Sequence, residues 1–379
     1  MSLIIEMYIH LDNDLAQSHI WSSLDNLSSL ENILAAAYEG HHLVFGEVAI
    51  LRALKEVKGI SRRSEVVLSR LINSYAQYGG SYSKLGFKLI VHAGDGEVKF
   101  VSEGNWSVPL RVCGKLAAVG KPILLAENLV DAKLYEHAAK HYKVINRIKG
   151  LRLSARLDGA GGSTTPQRLQ HIVQEAEELC ICMTDSDRLS PRDSVSSSAK
   201  KCDGLVREAR HPVWHVTTNA RELENVLPRD IFFECLDVEA GERWNSLLKI
   251  LDSSGVSFID YSDLKEGVSV WWILKLPEAS PSRDYWYQVV ERMQLDEQAS
   301  DCLRRGSCVL NKKAGDELCK GCNVIPGVSR RLAESALSWF DGRSETKAME
   351  VMNKGVYPEW IGTGKVVFDY CVAAERTRI

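Results

Sequence analysis

Apolar positions recur at three- and four-residue spacing in three early stretches, 24–38, 45–57 and 61–75, and this predicts helices; Val48, Leu51 and Leu54 show the period in the second. Residues 3–11 read as a short strand, and Gly79-Gly80 is expected to end the third helix. Residues 87–93 and 97–102 flank Gly94-Asp95-Gly96 and read as a hairpin. From residue 121 the pattern changes to apolar runs alternating with amphipathic stretches. Strands are predicted at 122–126, 151–157, 180–184 and 213–217, and helices at 130–141 and 166–179. Alternation of that kind implies a parallel sheet with helices on its faces. The fold class is therefore α/β.

Beyond Pro228 the pattern predicts a helix at 243–251, a strand at 268–276, an exposed loop at 277–282, a helix at 329–340 and a last strand or helix at 365–374. In a strand the adjacent Trp271 and Trp272 point to opposite faces, which puts one in the core and leaves the other for base stacking. Three regions follow: a mixed α/β domain at 1–117, a parallel-sheet domain at 118–260, and a C-terminal region at 261–379.

The 379 residues hold 47 basic and 50 acidic side chains, a formal charge of −3, so contact with a polyanion requires a local basic patch. One such run is Lys140, Lys143, Arg147, Lys149 and Arg152, expected to guide a phosphate backbone; Lys200, Lys201 and Arg207 form a second. No apolar run approaches the ~20 residues that span a bilayer, and the N-terminus lacks the basic start of a signal peptide, so a cytoplasmic protein without a membrane partner is expected. Ten cysteines are present. Cys302, Cys308, Cys319 and Cys322 cluster, and in a reducing compartment four thiolates so spaced predict a structural Zn²⁺ site. The scattered ones, Cys182 and Cys202 among them, are expected as small buried hydrophobes.

Ligands of open parallel sheets sit beyond the carboxyl ends of strands. Three such ends here carry acids or glycines. Glu127 follows the first, with Asp131 in the first turn of the next helix. The second runs into Asp158-Gly159-Ala160-Gly161-Gly162, where Gly159, Gly161 and Gly162 permit close approach of backbone to a phosphate. The third runs into Asp185-Ser186-Asp187, whose carboxylates share a side in extended chain. Acids gathered at one sheet edge repel unless a hard divalent cation such as Mg²⁺ lies among them.

A strand followed by Glu, a glycine-rich end to the next strand and a later Asp-x-Asp resemble the Toprim fold. Residues 221–225, Arg-Glu-Leu-Glu-Asn, are similar to the motif that follows Asp-x-Asp in the overcoming-lysogenization-defect type nucleases and related phage-defence Toprim proteins. The resemblance implies a Toprim-like catalytic domain hydrolysing phosphodiester bonds in DNA or RNA. Glu127, Asp131, Asp185, Asp187 and Glu224 would be the catalytic and Mg²⁺- or Mn²⁺-binding residues. Glu222 would be an alternative to Glu224, and Arg221 or Asn225 would orient a carboxylate. Two metals there activate water and stabilise the leaving oxygen. Asn128 stands where many relatives have Gly, and Lys265 and Lys365 are the candidates for the lysine of some relatives. No Walker A sequence is present, so an ATPase partner would be a separate chain. The rival expectation is a non-catalytic Toprim module that docks nucleic acid or such an ATPase. In the N-terminal domain, Asp12, Asp14 and Glu47 faintly resemble the acids of a PIN-type ribonuclease, against a plainer role in binding a partner or target.

Overall fold

The computed structural model describes residues 7–82, 87–102, 105–118, 120–254, 257–293, 297–307, 323–352 and 357–376. The chain forms two compact units that interleave along the sequence. The first runs to Thr184, resumes at Lys201–Val216 and again from Ile361; the second comprises Asp185–Lys200 and Thr217–Trp360.

The first unit opens with β1 (Met7–Leu11), α1 (Leu24–Glu39), β2 (Val44–Gly46), α2 (Val48–Lys55), α3 (Arg62–Tyr82), β3 (Phe87–His92), β4 (Lys99–Ser102), β5 (Asn105–Pro109) and α4 (Leu110–Ala118). Their sheet has the order β2-β1-β3-β5-β4; β1 is parallel to β2 and β3, β3 is parallel to β5, and only β4 is antiparallel. The expected hairpin at 87–102 is thus absent, because β5 inserts between its two arms. Burial explains the choice. All of β4 is exposed and suits only an edge, whereas β5 brings the buried Trp106 and Val108 against Leu89 and Val91. Helix α3 also continues through Gly79-Gly80 rather than stopping there. Each glycine costs about 1 kcal/mol relative to alanine, but a helix already nucleated needs no new nucleus to extend.

A second sheet in this unit contains β6 (Ile123–Ala126), β8 (Arg156–Gly159), β9 (Cys180–Thr184) and β10 (Val213–Thr217), in the order β10-β9-β6-β8. β6 is parallel to both β8 and β9. Its four residues and the five of β9 are buried, which is why both read as unbroken apolar runs. Helices α5 (Leu129–Ile145), α6 (Thr165–Glu175) and α7 (Ser197–Glu208) accompany it; Leu169 and Ile172 of α6 and Cys202 of α7 pack against Ile123, Leu125, Cys180, Cys182 and Val213.

The single strand expected at 151–157 is two. β7 (Leu151–Leu153) pairs antiparallel with β13 (Val372–Ala374), and β8 joins β6. The switch falls at Ser154-Ala155: Ser154 N–H donates to Cys371 O (2.8 Å), while Arg156 N–H donates to Pro122 O (2.8 Å).

The second unit holds α8 (Leu223–Val226), α9 (Phe232–Cys235), α10 (Val238–Ser254), β11 (Gly267–Ser269), α11 (Val270–Lys275), α12 (Pro281–Glu291), α13 (Glu297–Arg305), β12 (Asn323–Pro326), α14 (Leu332–Asp341) and α15 (Glu345–Met352); α16 (Pro358–Cys371) begins in it and leads back to the first. β11 and β12 form an antiparallel pair. Trp244 and Phe232 meet edge-to-face at 4.8 Å, and the fully buried Trp286 donates its indole N–H to Leu189 O (2.8 Å). The strand expected at 268–276 stops at Ser269. That hydroxyl accepts from Trp272 N–H and caps α11, overriding the β-preference of Val-Trp-Trp-Ile. Trp271 and Trp272 are therefore consecutive helical positions, both half-buried, rather than opposite faces of a strand. Among the described residues no helix is long and apolar enough to cross a membrane.

Candidate metal centre

In the first unit the loop after β6 is a tight helix start. Asn128 is the N-cap of α5: its Oδ1 accepts from Asp131 N–H (3.0 Å) and its Nδ2 donates to Asp131 Oδ2 (2.6 Å). Asn128 thus has a local purpose. It fixes the first turn and orients the buried Asp131 carboxylate, which also lies at the favourable, positive end of the helix dipole. Glu127, one residue earlier, is half-buried.

The glycine-rich end of β8 closes over that turn. Gly161 and Gly162, at φ +84° and +67°, donate their N–H groups to Glu127 O at 2.8 and 2.7 Å. A Cβ on Gly159 would stand 2.4 Å from Leu129 N. Gly159 serves close approach of backbone to backbone, Gly161 and Gly162 supply the left-handed turn, and the two amides expected to face a phosphate are taken up by the Glu127 carbonyl. Asp158 receives both Nε and Nη2 of Arg168 (3.0 and 2.8 Å).

In the second unit, two motifs more than thirty residues apart are laced together. Ser186 N–H donates to Thr218 Oγ1 (3.2 Å), Ser186 Oγ donates to Ala220 O (2.6 Å), and Asp187 N–H donates to Arg221 O (2.9 Å). Asp187 is exposed and sits at φ +51°, a left-handed conformation that Asp tolerates better than most residues. Asp185 is half-buried. The Asp-x-Asp segment is thereby held against the start of Arg-Glu-Leu-Glu-Asn.

That second motif builds an ion cluster. Glu222 caps the short α8 reciprocally with Asn225, whose Nδ2 also donates to Ile259 O and Ser262 O (2.6 and 2.9 Å). Asn225 thus anchors the loop that delivers Asp263 and Lys265. Lys265 Nζ lies 3.2 Å from Glu222 Oε2 and 3.0 Å from Glu224 Oε1, while Arg221 binds Asp263 (2.9 Å) and lies 6.0 Å from the Trp272 ring centre. Burial pushes the Glu222 carboxyl above its ordinary range, only partly offset by Lys265 and Arg221. Burial by itself would lower Lys265, but Glu224 and Glu222 outweigh it and hold the ammonium above the ordinary lysine value. The donors here are carboxylate oxygens, of the hard kind that suits Mg²⁺ or Mn²⁺, but Lys265 already bridges Glu222 and Glu224, and among the described residues the expected acids do not gather as a metal-binding group of three. Of the five sequence-expected ligands, Asp185, Asp187 and Glu224 belong to this unit and Glu127 and Asp131 to the other.

Other expected residues find plainer surroundings. Arg152 lies on β7 and donates to Glu39 O and Gly40 O (3.0 and 2.7 Å), so its guanidinium ties two chain segments together. Lys140 pairs with Glu136 (3.1 Å); Arg147 and Lys149 are exposed and Lys143 is half-exposed near the end of α5. Lys365 pairs with Asp369 in the first unit. Cys302 is buried on α13; Cys308, Cys319 and Cys322 lie outside the described residues. Asp12 and Asp14 hold the end of β1, with Asp14 accepting from Ala93 N–H, and Glu47 accepts from Tyr75 O–H (2.6 Å).

Comparison with protein-family models, with curated proteins and with solved structures finds no match to this chain.

Proposed function

We propose that the chain is a metal-dependent phosphodiester hydrolase of Toprim type, acting on DNA or RNA as the effector of a prokaryotic anti-phage system, with Asp185, Asp187 and Glu224 of the second unit as metal-binding residues. One observation carries the reading. The Asp-x-Asp segment is hydrogen-bonded to the Arg-Glu-Leu-Glu-Asn segment, and a lysine bridges both glutamates of the latter. A parallel sheet whose strands β6 and β9 lead into acidic loops adds support.

Bound Mg²⁺ or Mn²⁺ would supply an activated water and neutralise charge on the leaving oxygen. The chain's own residues prepare for this. Lys265 stays protonated across the neutral range and is held in place by two carboxylates, a fixed cation for a phosphate oxygen. Arg221 is immobilised by Asp263 and keeps Asp187 in register through its carbonyl.

The test is cleavage of DNA and RNA by the full chain in Mg²⁺ or Mn²⁺, together with calorimetric Mn²⁺ binding. Asp185→Ala is expected to abolish both while the circular dichroism spectrum stays unchanged. The same lysine–glutamate cluster also favours a second reading, in which the acids are neutralised structurally and the chain docks nucleic acid or a separate ATPase without hydrolysis. Nucleic-acid binding with no Mn²⁺ uptake, unaltered in Asp185→Ala, would decide for that reading and against hydrolysis.

A further inference from the structure

The core of the second sheet holds a group of side chains that the proposed hydrolase chemistry does not use. Cys182 projects from the middle of β9, Cys202 from α7 and His215 from β10, and one ligand atom of each lies within 4.8 Å of the others. All belong to the first unit. Both cysteines are fully buried, and the His215 side chain is 1% exposed. Thiolate and imidazole ligands around a tetrahedral Zn²⁺ stand at separations of this order, given metal–ligand bonds of about 2.0–2.3 Å.

The surroundings of His215 are those of a metal ligand. Its Nδ1 lies 2.6 Å from Asp203 Oδ1, and its Nε2 lies 2.9 Å from Thr184 Oγ1. A carboxylate on Nδ1 fixes that nitrogen as the N–H, which leaves the Nε2 lone pair for an acceptor role. It also makes that lone pair more basic, as outer carboxylates do for zinc-bound histidines. The Thr184 hydroxyl fills that role as donor here, and a cation on Nε2 would take its place. Asp203 follows Cys202 directly, so a single turn of α7 supplies both a thiol and the carboxylate that orients the imidazole.

Charge decides which ion suits the place. The group borders an apolar cluster of Ile123, Leu125, Leu169, Ile172 and Val213. Two thiolates, one neutral imidazole and one divalent cation sum to zero, so burial there leaves no uncompensated charge. Sulfur and nitrogen donors select Zn²⁺ over Mg²⁺ or Mn²⁺.

We infer that Cys182, Cys202 and His215, with Asp203 as the outer partner of the imidazole, form a Zn²⁺ site that fastens α7 to β9 and β10. Its ligands are other residues than the C-terminal cysteines and the acids named above. Its metal contributes folding free energy, since the ligands are brought together only by the folded sheet. Binding releases the thiol protons to solvent, and no redox step is involved.

Cobalt reports on such a site through the visible absorption of tetrahedral thiolate coordination. The test uses the full chain bearing Cys308→Ser, Cys319→Ser and Cys322→Ser, reduced, stripped with chelator and titrated with Co²⁺ and then Zn²⁺. About one equivalent should bind with a thiolate–cobalt spectrum, and Zn²⁺ should displace it and raise the melting temperature. Adding Cys202→Ala or His215→Ala should remove the spectrum and the Zn²⁺-dependent rise in melting temperature. Asp203→Asn should keep the spectrum and weaken affinity about 10–100-fold. Should the triple-serine chain fail to fold, the zinc content of the natural chain should fall by about one per molecule in Cys202→Ala. A folded chain that takes up no Co²⁺, or whose metal content ignores Cys202→Ala and His215→Ala, overturns the site. So does oxidation of Cys182 and Cys202 to a disulfide without any metal uptake by the reduced form.

Discussion

Lys265 shows how much one side chain can carry. Its ammonium sits between Glu222 and Glu224, whose side chains are 15% and 6% exposed, while its own is 37% exposed. Lys265→Ala would leave two carboxylates crowded, with Arg221, 3.6 Å from Glu222, as the cation that remains beside them. Because the lysine is more than a third exposed and screened by water, the expected loss falls below the roughly 3–5 kcal/mol that breaking a fully buried pair costs. Adding Glu222→Gln and Glu224→Gln to that variant should recover part of it, and urea unfolding of the three chains checks the sign. A triple variant less stable than Lys265→Ala would show that the glutamates contribute something other than charge held by the lysine. Asp131 makes the complementary point. Its type and position after a strand suggest a metal ligand, yet the turn also uses it as the reciprocal cap partner of Asn128. Residue identity alone does not separate the two roles, because a carboxylate at a helix N-terminus is favourable with or without a cation.

At the scale of elements, the turn between β6 and α5 and the end of β8 interlock through main chain. Gly159→Ala would place a Cβ 2.4 Å from Leu129 N, a backbone atom that cannot yield cheaply. We expect a destabilisation of about 1–3 kcal/mol, the range for overpacking. Gly204→Ala in α7 meets nothing within 4 Å and should instead stabilise the chain, by about 0.5–1 kcal/mol. Thermal melts of the two variants should move in opposite directions; equal shifts would refute the packing argument. The errors of element assignment have two causes. Apolar pattern told strands from helices where a run was closed by local punctuation, as at 122–126 and 180–184. It failed where a partner from elsewhere decided, with β5 separating β3 from β4 and β13 drawing off 151–153, and where a local detail outweighed propensity, as the Ser269 cap does in turning Val270–Lys275 into helix. Local propensity is a weak prior against such contacts.

For the molecule as a whole, the buried histidines set a pH limit on stability. His42, fully buried with Nε2 2.9 Å from Gly120 O, has its pKa pushed down to about 4 by burial. Burial, with the nearby His137 and Lys140, pushes His141 down to about 3. In the unfolded chain each takes a proton near the ordinary histidine value of about 6.5. Between that value and the native one the unfolded state binds more protons. Stability is therefore full above about pH 6.5 and falls as the pH drops toward 4, by up to roughly 1.4 kcal/mol per pH unit for each histidine. Glu222 works with the opposite sign, since its raised pKa relieves a buried charge on acidification. Urea midpoints across pH 7 to 4 should decline, and His42→Asn should flatten the decline. A midpoint that rises through that window would contradict the assignment of these histidines as buried and neutral.

The amino-acid sequence by itself determined the α/β character, the alternation of strands and helices from residue 121 to 184, and which short segments carry acids and glycines; the helix at Ser197–Glu208 is not among its readings. These depend on periodicity and turn residues within a few positions of one another, and such information is local. Only the tertiary structure decided strand order, the division of the chain into two interleaved units, the meeting of Lys265 with Glu222 and Glu224, and the grouping of Cys182, Cys202 and His215. Cys182 and Cys202 read correctly as buried, but burial says nothing of what lies beside them. Contacts between residues tens of positions apart require closing long loops of chain, and that entropy is recovered only when whole buried faces pack together. No single segment encodes such an outcome.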